Sequence, residues 1–526
     1  MTIRTKIVGM TALRLEVAFL NAVLFACSSH AALVLQIGQN FTAAATLLAL
    51  PDAGLAVSTN HVVQFIDGRY SVFSKSTGAL LQTMTGRSFW TNAGVTMPSG
   101  VFASTPRVLF DLDSQRWVAA MVDVPPNELS NRFLLAITAT DDPTGPWRGA
   151  AFLADPSNGY FGDSPTLGID ANAVYLCADM FDDHGSAVGS TLVSIPKGAL
   201  LGNPPSLAGR TSFGLLSYGQ NGAILQPAVT LGAASTAEIV LSVADLGYDF
   251  QSHSNLVAVE IQNADVPGAA VLGNPAKIPV PEYSVPLNPP QPGASDNIDD
   301  GDARISATVY RVGDIVYANH SIETNNRAAI QWFEIDAVNL NVLEAGIVSD
   351  PILDLYYPSI AANKDGVVVM AFNGSSGSNF ISSYAILGEP INGRLQFGSI
   401  VLLKEGVASY RTNSASNPWG NYSATVVDPA DPAHFWAMTM YASSPSAWDT
   451  QISDLIAAPL LLSISSSGTN ILVSWPSAAT GYQLQFKQSL STSNWATIPQ
   501  SPIVNHNQLT VSLSASGDSR FFRLIK

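Results

Sequence analysis

The alternation of apolar and polar residues repeats one local pattern along the chain. A short strand-like run, often with a proline near its start, leads into a turn and then into a strongly apolar run. In the clearest copy, residues 357–362 precede a turn at 363–366, and residues 367–372 follow. This pattern predicts a β-hairpin whose second strand is buried on both faces.

Six further copies of this hairpin begin near residues 54, 105, 164, 226, 304 and 422. The seven copies recur about every 50 to 80 residues, which is typical of stacked or radially arranged units. Each hairpin is followed by at least one more strand-like run, for example residues 133–137 and 329–333. Three or four strands in each of seven units predict an all-β chain folded as a seven-bladed β-propeller. The alternative is a two-sheet sandwich in which the repeats are accidental.

The composition narrows the class of partner. The 526-residue chain has 24 Lys and Arg against 40 Asp and Glu, giving a net charge of −16, and its basic residues form no stripe. We therefore do not expect nucleic acid to be a partner. Charged residues make up only 12% of the chain, and 40 Gly and 32 Pro supply turns for an all-β fold. This composition is compatible with a secreted protein.

The N-terminal segment has the pattern of an export signal. Basic residues precede an apolar run at 17–26, and small residues follow as far as Ala31. We interpret residues 1–31 as a secretory signal peptide, too short to span a bilayer, and predict no transmembrane segment after its removal. A buried core helix is the alternative. Residues 24–27 also resemble a bacterial lipobox, which leaves open a lipoprotein anchored through Cys27.

Removal of the signal peptide leaves Cys177 as the single cysteine. No intramolecular disulfide can then form, although the export route would permit one. Cys177 falls in an apolar run, so we interpret its side chain as a small buried hydrophobe.

Two domains follow the predicted signal peptide. We assign residues 32–457 to the propeller, and we expect the strand at 33–37 to close the ring by pairing with the blade that begins near 422. Residues 458–526 contain the alternating runs 482–486 and 509–513, which predict a small β-sandwich. Its basic residues outnumber its single acidic residue, Asp518, which would allow a weak contact with an acidic surface.

Strand order places function at one face of the propeller. In an up-and-down blade, the entrance to the first strand and the exit of the second lie at the same end, around the mouth of the central channel. The entrances carry Asp163, Asp302, Arg304, Asp354, Tyr357, Trp419 and Asn421. The exits carry Asp123, Asp179, Asp183, His184, Asp245, His320, Glu323 and Asn373.

Four carboxylates at this mouth are candidates for acid, base or nucleophile in glycoside hydrolysis, which requires two carboxylates facing across the scissile bond: Asp163, Asp302, Asp354 and Glu323. Two long loops, at 279–302 and 404–422, add further groups, and long loops in a compact repeat are often functional. The candidate ligand-binding residues are Arg304, His320, Tyr357, Tyr410, Arg411, Trp419 and Asn421. Tyr410, Arg411 and Trp419 would suit stacking on sugars, and a structural role for Trp419 is the alternative.

An acidic cluster lies in the first of these loops, at Asp296, Asp299, Asp300 and Asp302. Closely spaced carboxylate oxygens suit Ca²⁺, although the spacing departs from the EF-hand pattern. A solvated acidic loop is the alternative. No other cofactor is predicted.

Three local motifs carry a resemblance. Residues 142–147 read Asp-Pro-Thr-Gly-Pro-Trp, residues 302–311 contain Asp-Ala-Arg-Ile and Val-Tyr-Arg, and residues 419–424 read Trp-Gly-Asn-Tyr-Ser-Ala. Together they resemble uncharacterised secreted bacterial β-propeller proteins of the sialidase-like superfold without Asp boxes. In those proteins the last motif usually reads Trp-Gly-Asp-Tyr-Ser, so Asn421 is a departure. The resemblance implies fold and export, and no catalytic residue.

The C-terminal region resembles the fibronectin type III-like modules that end many secreted bacterial proteins, with Trp475 as the core aromatic. The resemblance implies a spacer or adhesive role. The leading hypothesis for the whole chain is a secreted or cell-surface, monomeric propeller that binds an extracellular ligand, a glycan above all, at the mouth. The alternatives are a glycoside hydrolase or lyase that uses the mouth carboxylates, and a structural adhesion protein of the cell surface.

Overall fold

The computed structural model describes residues 32–46, 52–126, 130–202, 205–231, 237–244, 251–294, 297–412, 417–477, 479, 481–491, 493–505, 508–515 and 519–526. The predicted signal peptide, and Cys27 within it, lie outside these residues. The chain divides into two compact units. One is Leu35–Ala458, and the other combines the described residues up to Val34 with Pro459–Lys526.

In the larger unit the described strands form six sheets, and the nine-stranded one joins two antiparallel groups; we number the seven groups as blades 1 to 7 for reference. This unit is a β-propeller. Its first strand is β1 (Leu33–Thr46). Blade 1 contains β2 (Ala53–Val57), β3 (His61–Ile66), β4 (Arg69–Ser74) and β5 (Leu80–Thr85). Blade 2 follows the helix α1 (Gly86–Asn92) and contains β6 (Phe102–Asp111), β7 (Arg116–Val124), β8 (Arg132–Thr138) and β9 (Trp147–Leu153).

The remaining blades follow in chain order. Blade 3 contains β10 (Phe161–Ile169), β11 (Ala173–Phe181), β12 (Ala187–Pro196) and β13 (Thr211–Leu216), with the helices α2 (Lys197–Leu200) and α3 (Tyr218–Asn221) beside it. Blade 4 contains β14 (Ala223–Pro227), β16 (Ala237–Val243), β17 (His253–Gln262), β18 (Val271–Leu272) and β19 (Ala276–Tyr283), and β15 (Val229–Leu231) continues from β14. Blade 5 contains β20 (Tyr310–Val312), β21 (Ile315–Thr324), β22 (Arg327–Asp336) and β23 (Asn341–Val348).

Blade 6 contains β24 (Asp354–Ala362), β25 (Val368–Ser376), β26 (Asn379–Ile391), β27 (Arg394–Phe397) and β28 (Val401–Lys404). Blade 7 contains β29 (Ala424–Val427), β30 (His434–Ser444) and β31 (Ala447–Pro459), and β1 pairs with β31 as its outermost strand. The prediction that the first strand closes the ring by joining the last blade is therefore confirmed. Among the helices of the described residues, none has the length and apolar character to span a bilayer.

The second strand of each blade is packed between neighbouring sheets, as its continuous apolar sequence predicts. In β16 and β25 every residue is buried, in β11 only the last residue is not, and in β7 only the two end residues are not. The hydrophobic clusters accordingly span pairs of blades, such as the one that joins blades 1 and 2 around Trp90 and Trp117. Each sheet thus buries its apolar faces against the next, which a single blade could not do.

Four innermost strands carry a β-bulge at the same place, near the mouth. The ladder shifts register between Ser104 and Arg107 in β6, and at matching positions in β10, β14 and β24. Each bulge contains one residue with left-handed φ: Thr105 (57°), Ser164 (49°), Ile224 (55°) and Tyr357 (48°). A bulge bends the strand and redirects its side chains. Here it brings Ser164 and Tyr357 into the lining of one cavity.

Hydrogen bonds between blades fasten these bulges to one another. In three successive blades, the polar residue that follows the bulge donates to a backbone carbonyl of the next blade: Arg107 Nε to Pro165 O (2.9 Å), Thr166 Oγ1 to Leu225 O (2.7 Å) and Gln226 Nε2 to Ile305 O (2.7 Å). Two of the acceptors, Pro165 O and Leu225 O, lie within the bulges of the next blade, where the side chains satisfy them.

Lower in the channel, β15 leaves blade 4 and runs parallel to β10 on one side and β20 on the other, so blades 3 and 5 share a continuous sheet. A glycine makes this approach possible. A Cβ at Gly168 would lie only 2.7 Å from the carbonyl oxygen of Ala228.

The smaller unit consists of two sheets. One contains β32 (Ser463–Ser467), β33 (Asn470–Pro476), β36 (Ile503–Asn505) and β37 (Gln508–Ser514). The other contains β34 (Gln483–Lys487), β35 (Ala496–Thr497) and β38 (Phe521–Ile525), in the order β35–β34–β38. The core of this unit includes Trp475, as predicted, together with Val473, Leu484 and Val511. Its likeness to fibronectin type III modules stays a prediction.

Candidate functional site

A cavity of about 260 Å³ lies at the mouth end of the innermost strands. Blades 3, 5, 6 and 7 and the two long loops contribute to its wall. Eight residues singled out from the sequence line it: Asp163, Asp299, Asp300, Asp302, Arg304, Tyr357, Trp419 and Asn421. Six of the seven residues predicted at strand entrances are among them, and Asp354 is not.

Arg304 is the central cation of this cavity, and its donors are already engaged. Its Nε donates to Asp302 Oδ1 (2.8 Å) and its Nη2 to Asp302 Oδ2 (2.6 Å), which is a two-pronged ion pair. Its Nη1 donates to the hydroxyl of Tyr422 (2.9 Å). The guanidinium is thus held between a carboxylate of its own blade and a phenol of blade 7.

Tyr422 connects the two arginines of the mouth. Its hydroxyl accepts from Arg304, and the guanidinium of Arg107 lies 5.2 Å from its ring centroid. Burial raises the pKa of the Tyr422 hydroxyl, and the charge of Arg304 opposes that rise. Burial lowers the pKa of Arg107, while Tyr422 and Asp52 oppose the change. The phenol is therefore a neutral hydrogen-bonding group that faces the cavity.

Behind the cavity wall lie carboxyl groups that are costly to ionise. Asp163 and Asp179 face each other across the ladder of β10 and β11, and Asp179 accepts from Ser190 Oγ (2.9 Å). Burial raises the pKa of Asp179 to about 6, against the attraction of Arg304. The mouth therefore contains a carboxyl group that titrates near neutral pH.

A second pair of buried carboxyls lies in blade 1. Asp52 accepts from Thr105 Oγ1 (3.2 Å), and Asp67 accepts from Thr105 N (2.8 Å) and Ser104 Oγ (2.9 Å). Burial raises the pKa of Asp67 to about 6, and it raises the pKa of Asp52 well above its ordinary value with a further contribution from Asp67. The acidic character of the mouth thus extends beyond the residues that line the cavity.

The two long loops pair with each other beside the cavity. Asp299 and Pro418 form a β-bridge, and Trp419 N donates to Asp299 O (3.2 Å). Gln291 and Tyr410 exchange two hydrogen bonds, from Gln291 Nε2 to Tyr410 O (2.9 Å) and from Tyr410 N to Gln291 Oε1 (2.7 Å). The loops act as one wall of the mouth rather than as separate segments.

Two aromatic residues predicted to stack on a sugar are packed inside this wall. Only 1% of Trp419 and 2% of Tyr410 is exposed, and their rings meet edge to face at 4.8 Å. Trp419 Nε1 also donates to Asn373 Oδ1 (3.1 Å). Neither ring presents a free face, so their role is to join the loops to blade 6 and the stacking interpretation is corrected. Arg411 is exposed and does not line the cavity.

Three other predicted site residues lie elsewhere. His320 is fully buried, with Nδ1 2.8 Å from Ala303 O and Nε2 2.8 Å from Gln331 Oε1, and burial lowers its pKa. Both ring nitrogens are satisfied inside the protein, so the ligand-binding role is corrected to a structural one. Glu323 accepts from Asn326 N (2.8 Å) in its own hairpin and does not line the cavity.

Asp354 is held by the neighbouring blade. It accepts from Arg327 Nη1 (3.0 Å) and Ala328 N (3.0 Å), and it lines a separate groove of about 710 Å³ together with Asn297. Of the four predicted catalytic carboxylates, the structure therefore brings Asp163 and Asp302 to one cavity, and Asp354 and Glu323 do not join them.

The acidic loop contains the possible calcium ligands predicted from the sequence, Asp296, Asp299, Asp300 and Asp302. Among the described residues, no three acidic, histidine or cysteine side chains converge as metal ligands, and Asp296 lies outside those residues. Asp300 is 1% exposed, and its burial raises its pKa well above the ordinary value, which favours the neutral acid. Because Asp296 is not described, calcium binding by this loop stays a prediction.

Comparison with known proteins finds only distant structural similarity. No protein-family model matches the chain, and no curated protein matches it. Among solved structures, it is similar to extracellular domains 1–2 of Drosophila Semaphorin 1b (7% identity, TM-score 0.38, 81% of this chain and 88% of that one). It is also similar to the Dos1 propeller (9%, 0.39, 80% and 95%) and to Trypanosoma rangeli sialidase in complex with the inhibitor DANA (10%, 0.36, 93% and 89%).

Sequence reasoning missed several groups of the mouth, namely Asp52, Asp67, Arg107 and Tyr422. One signal could have found two of them. Tyr422 directly follows Asn421 in the Trp-Gly-Asn-Tyr motif, and Arg107 follows the proline of its repeat, where other blades place Thr166 and Ser359. Asp52 directly precedes β2 and Asp67 directly follows β3, at the two ends of the hairpin repeat that begins near residue 54.

Proposed function

We propose that this protein is an exported propeller that binds a neutral, hydroxyl-rich glycan at the mouth of its channel. The observation that carries the proposal is one cavity whose wall combines carboxylates, phenols and an amide. Ligand cavities commonly measure about 300–1,000 Å³. At about 260 Å³, this one fits a single sugar ring at the end or edge of a longer chain.

The charge of the wall argues for a neutral ligand. Asp163, Asp299 and Asp302 are carboxylates, whereas Arg304 is the one basic residue of the lining, and its charge is already matched by Asp302. A further anionic group would meet net negative potential, which disfavours an acidic sugar. Sugar hydroxyls, by contrast, can donate to Asp163 and accept from Tyr422 or Asn421.

Glycan-array binding with purified full-length variants tests this proposal. Asp163→Asn and Tyr422→Phe each remove one polar function of the cavity with little change of shape. Asp365→Asn removes an equal charge from an exposed turn and serves as the control. We expect both mouth variants to lose binding to the glycan that the wild type and the control retain. Unchanged binding in both mouth variants would refute the mouth as the site.

A second candidate function is glycoside hydrolysis, and the pKa of Asp179 near 6 favours it. Asp179 pairs with Asp163 across the ladder of β10 and β11, and glycoside hydrolysis uses two carboxyl groups that act together. If Asp179 supplies the proton, turnover of the bound glycan falls as pH rises through about 6, and Asp179→Asn abolishes turnover but not binding. Release of reducing ends measures this, and its absence from the wild type excludes the reaction.

We further propose the organisation inferred from the sequence: an export signal at 1–31, a seven-bladed propeller at 32–457 and a fibronectin type III-like module at 458–526. Mass spectrometry of the exported protein tests the first part. A mature chain that starts near residue 32 supports signal cleavage there, and a lipid-modified Cys27 at the N-terminus supports the lipoprotein alternative. A mature protein without lipid would be expected in solution as a monomer.

A further inference from the structure

The three-stranded sheet of the C-terminal unit carries a face on which cations rest on an aromatic ring. We call the group Gln485, Lys487, Trp495 and Arg523 the basic-aromatic face. Lys487 Nζ lies 4.7 Å and Arg523 Cζ 4.5 Å from the ring centroid of Trp495. The two positive charges therefore both lie close to the indole ring of Trp495, within about 9 Å of each other.

The register of the sheet explains why these side chains meet. Gln485 on β34 pairs with Arg523 on β38 and with Thr497 on β35, so the two strand neighbours place the guanidinium beside the amide. Arg523 donates to Gln485 Oε1 from both Nε (3.0 Å) and Nη2 (2.8 Å). Lys487 lies two residues beyond Gln485 and so falls on the same side of the strand. The cations are held in place before any ligand arrives.

The charge of this unit has the opposite sign to that of the chain. Lys487, Arg520, Arg523 and Lys526 against the single acidic residue Asp518 give Pro459–Lys526 a net charge of +3, whereas the whole chain carries −16. The other two cations also lie over rings, Arg520 over Phe486 (5.7 Å) and Lys526 over Tyr482 (5.9 Å). All four basic residues of the unit thus combine a positive charge with an aromatic surface.

We propose that the basic-aromatic face is a docking surface for an acidic polysaccharide, a polymer whose sugar rings carry carboxylate groups. Guanidinium and ammonium groups pair with the carboxylates, and the partly exposed Trp495 lies between them, where a sugar ring can pack. The face is independent of the mouth, because it lies in the other compact unit and the mouth wall disfavours anionic ligands.

An anionic lipid surface fits this face less well. Attachment to such surfaces relies on clusters of about four to eight basic residues that adapt to mobile headgroups. The basic-aromatic face contains only two cations, and contacts with Gln485 and Trp495 hold the guanidinium of Arg523 in place. Fixed charges at a fixed spacing suit a ligand with a repeating covalent structure.

Binding of the full-length protein to immobilised polygalacturonate at low ionic strength tests the proposal, with neutral dextran as the comparison polymer. The variant Lys487→Gln/Arg523→Gln removes both cations of the face. The matched control Lys364→Gln/Arg394→Gln removes two exposed cations of the propeller. We expect the face variant to bind about tenfold or more weakly, the control to bind like the wild type, and salt to weaken the wild type.

A second variant, Lys487→Glu, keeps the hydrogen bonds between Arg523 and Gln485, so it tests the face even if the double variant does not fold. We expect it to bind at least as weakly as the double variant, with an unchanged Tm. Equal binding of wild type, face variants and control would overturn the proposal. So would tighter binding to phosphatidylglycerol vesicles than to polygalacturonate, or self-association that the face variants abolish without any polysaccharide binding.

Discussion

Asp179 offers the most direct test of the electrostatics of the mouth. Its carboxyl is 6% exposed, and burial raises its pKa from the ordinary value to about 6. The substitution Asp179→Asn keeps the size of the side chain and an oxygen that can accept from Ser190 Oγ, but it removes the ionisable group. The variant therefore isolates the cost of carrying a negative charge at this position.

The magnitude follows from linkage between ionisation and folding. A free aspartate has a pKa of about 4, and each unit by which the folded value differs is worth about 1.4 kcal/mol. Below pH 4 the carboxyl is neutral in both states and the penalty is absent. As pH rises from about 4 to 6, the unfolded chain ionises first, and the folded state loses stability. Above pH 6 the wild type carries a constant penalty of roughly 2–3 kcal/mol that the variant lacks.

Urea unfolding at pH 4, 5, 6 and 7.5, followed by tryptophan fluorescence, measures this penalty. We expect the free energy of unfolding of Asp179→Asn, relative to that of the wild type, to increase by about 2–3 kcal/mol from pH 4 to pH 7.5. Asp365→Asn, on the exposed turn at 363–366, removes an equal charge and serves as the control. Parallel curves for Asp179→Asn and the wild type would refute the assignment of a raised pKa to this carboxyl.

Three further outcomes are expected. Arg304→Gln and Asp302→Asn each lower the free energy of unfolding by about 2–4 kcal/mol, because each leaves a largely buried charged partner without its counterion. The double variant loses clearly less than the sum of the two single losses. Additive losses in urea unfolding would contradict the ion pair. Trp419→Ala lowers the free energy of unfolding by about 3–5 kcal/mol, because the ring packs against Tyr410 of its own loop and Nε1 donates to Asn373 of blade 6; an unchanged free energy in urea unfolding would contradict that role. Cys177 does not react with a thiol reagent at pH 8 until urea is added, because burial shields the thiol and raises its pKa; rapid labelling of the native protein would show that β11 is accessible.

The carboxyls of the mouth also bear on function and stability together. Asp52, Asp67 and Asp179 all resist ionisation because they are buried near other acids, and each costs the fold stability at neutral pH. Such costs gather where a site needs polar groups in place before a ligand arrives. This cost at the mouth supports the proposal that the mouth binds a ligand.

The repeated hairpin determined much of the fold. Because a strand packed between two sheets must be apolar on both faces, the uninterrupted apolar runs at residues 239–243 and 367–372 reveal all-β blades from the sequence alone. The closure of the ring by β1 was equally predictable, since a strand before the first hairpin has no earlier partner. The entrances to the first strands could be placed at one mouth for the same topological reason.

What the sequence could not decide is which mouth residues face the cavity. Asp302 and Asp354 both enter innermost strands, yet Arg304 holds one in the cavity and Arg327 draws the other into a separate groove. Trp419 and Tyr410 have the residue types of a sugar-stacking platform, but both are buried, and hydrogen bonds to Gln291 and Asn373, which are distant in sequence, hold them inside the wall. Strand order follows from local patterns, whereas burial and partnership depend on contacts between distant parts of the chain, which exist only in the folded protein.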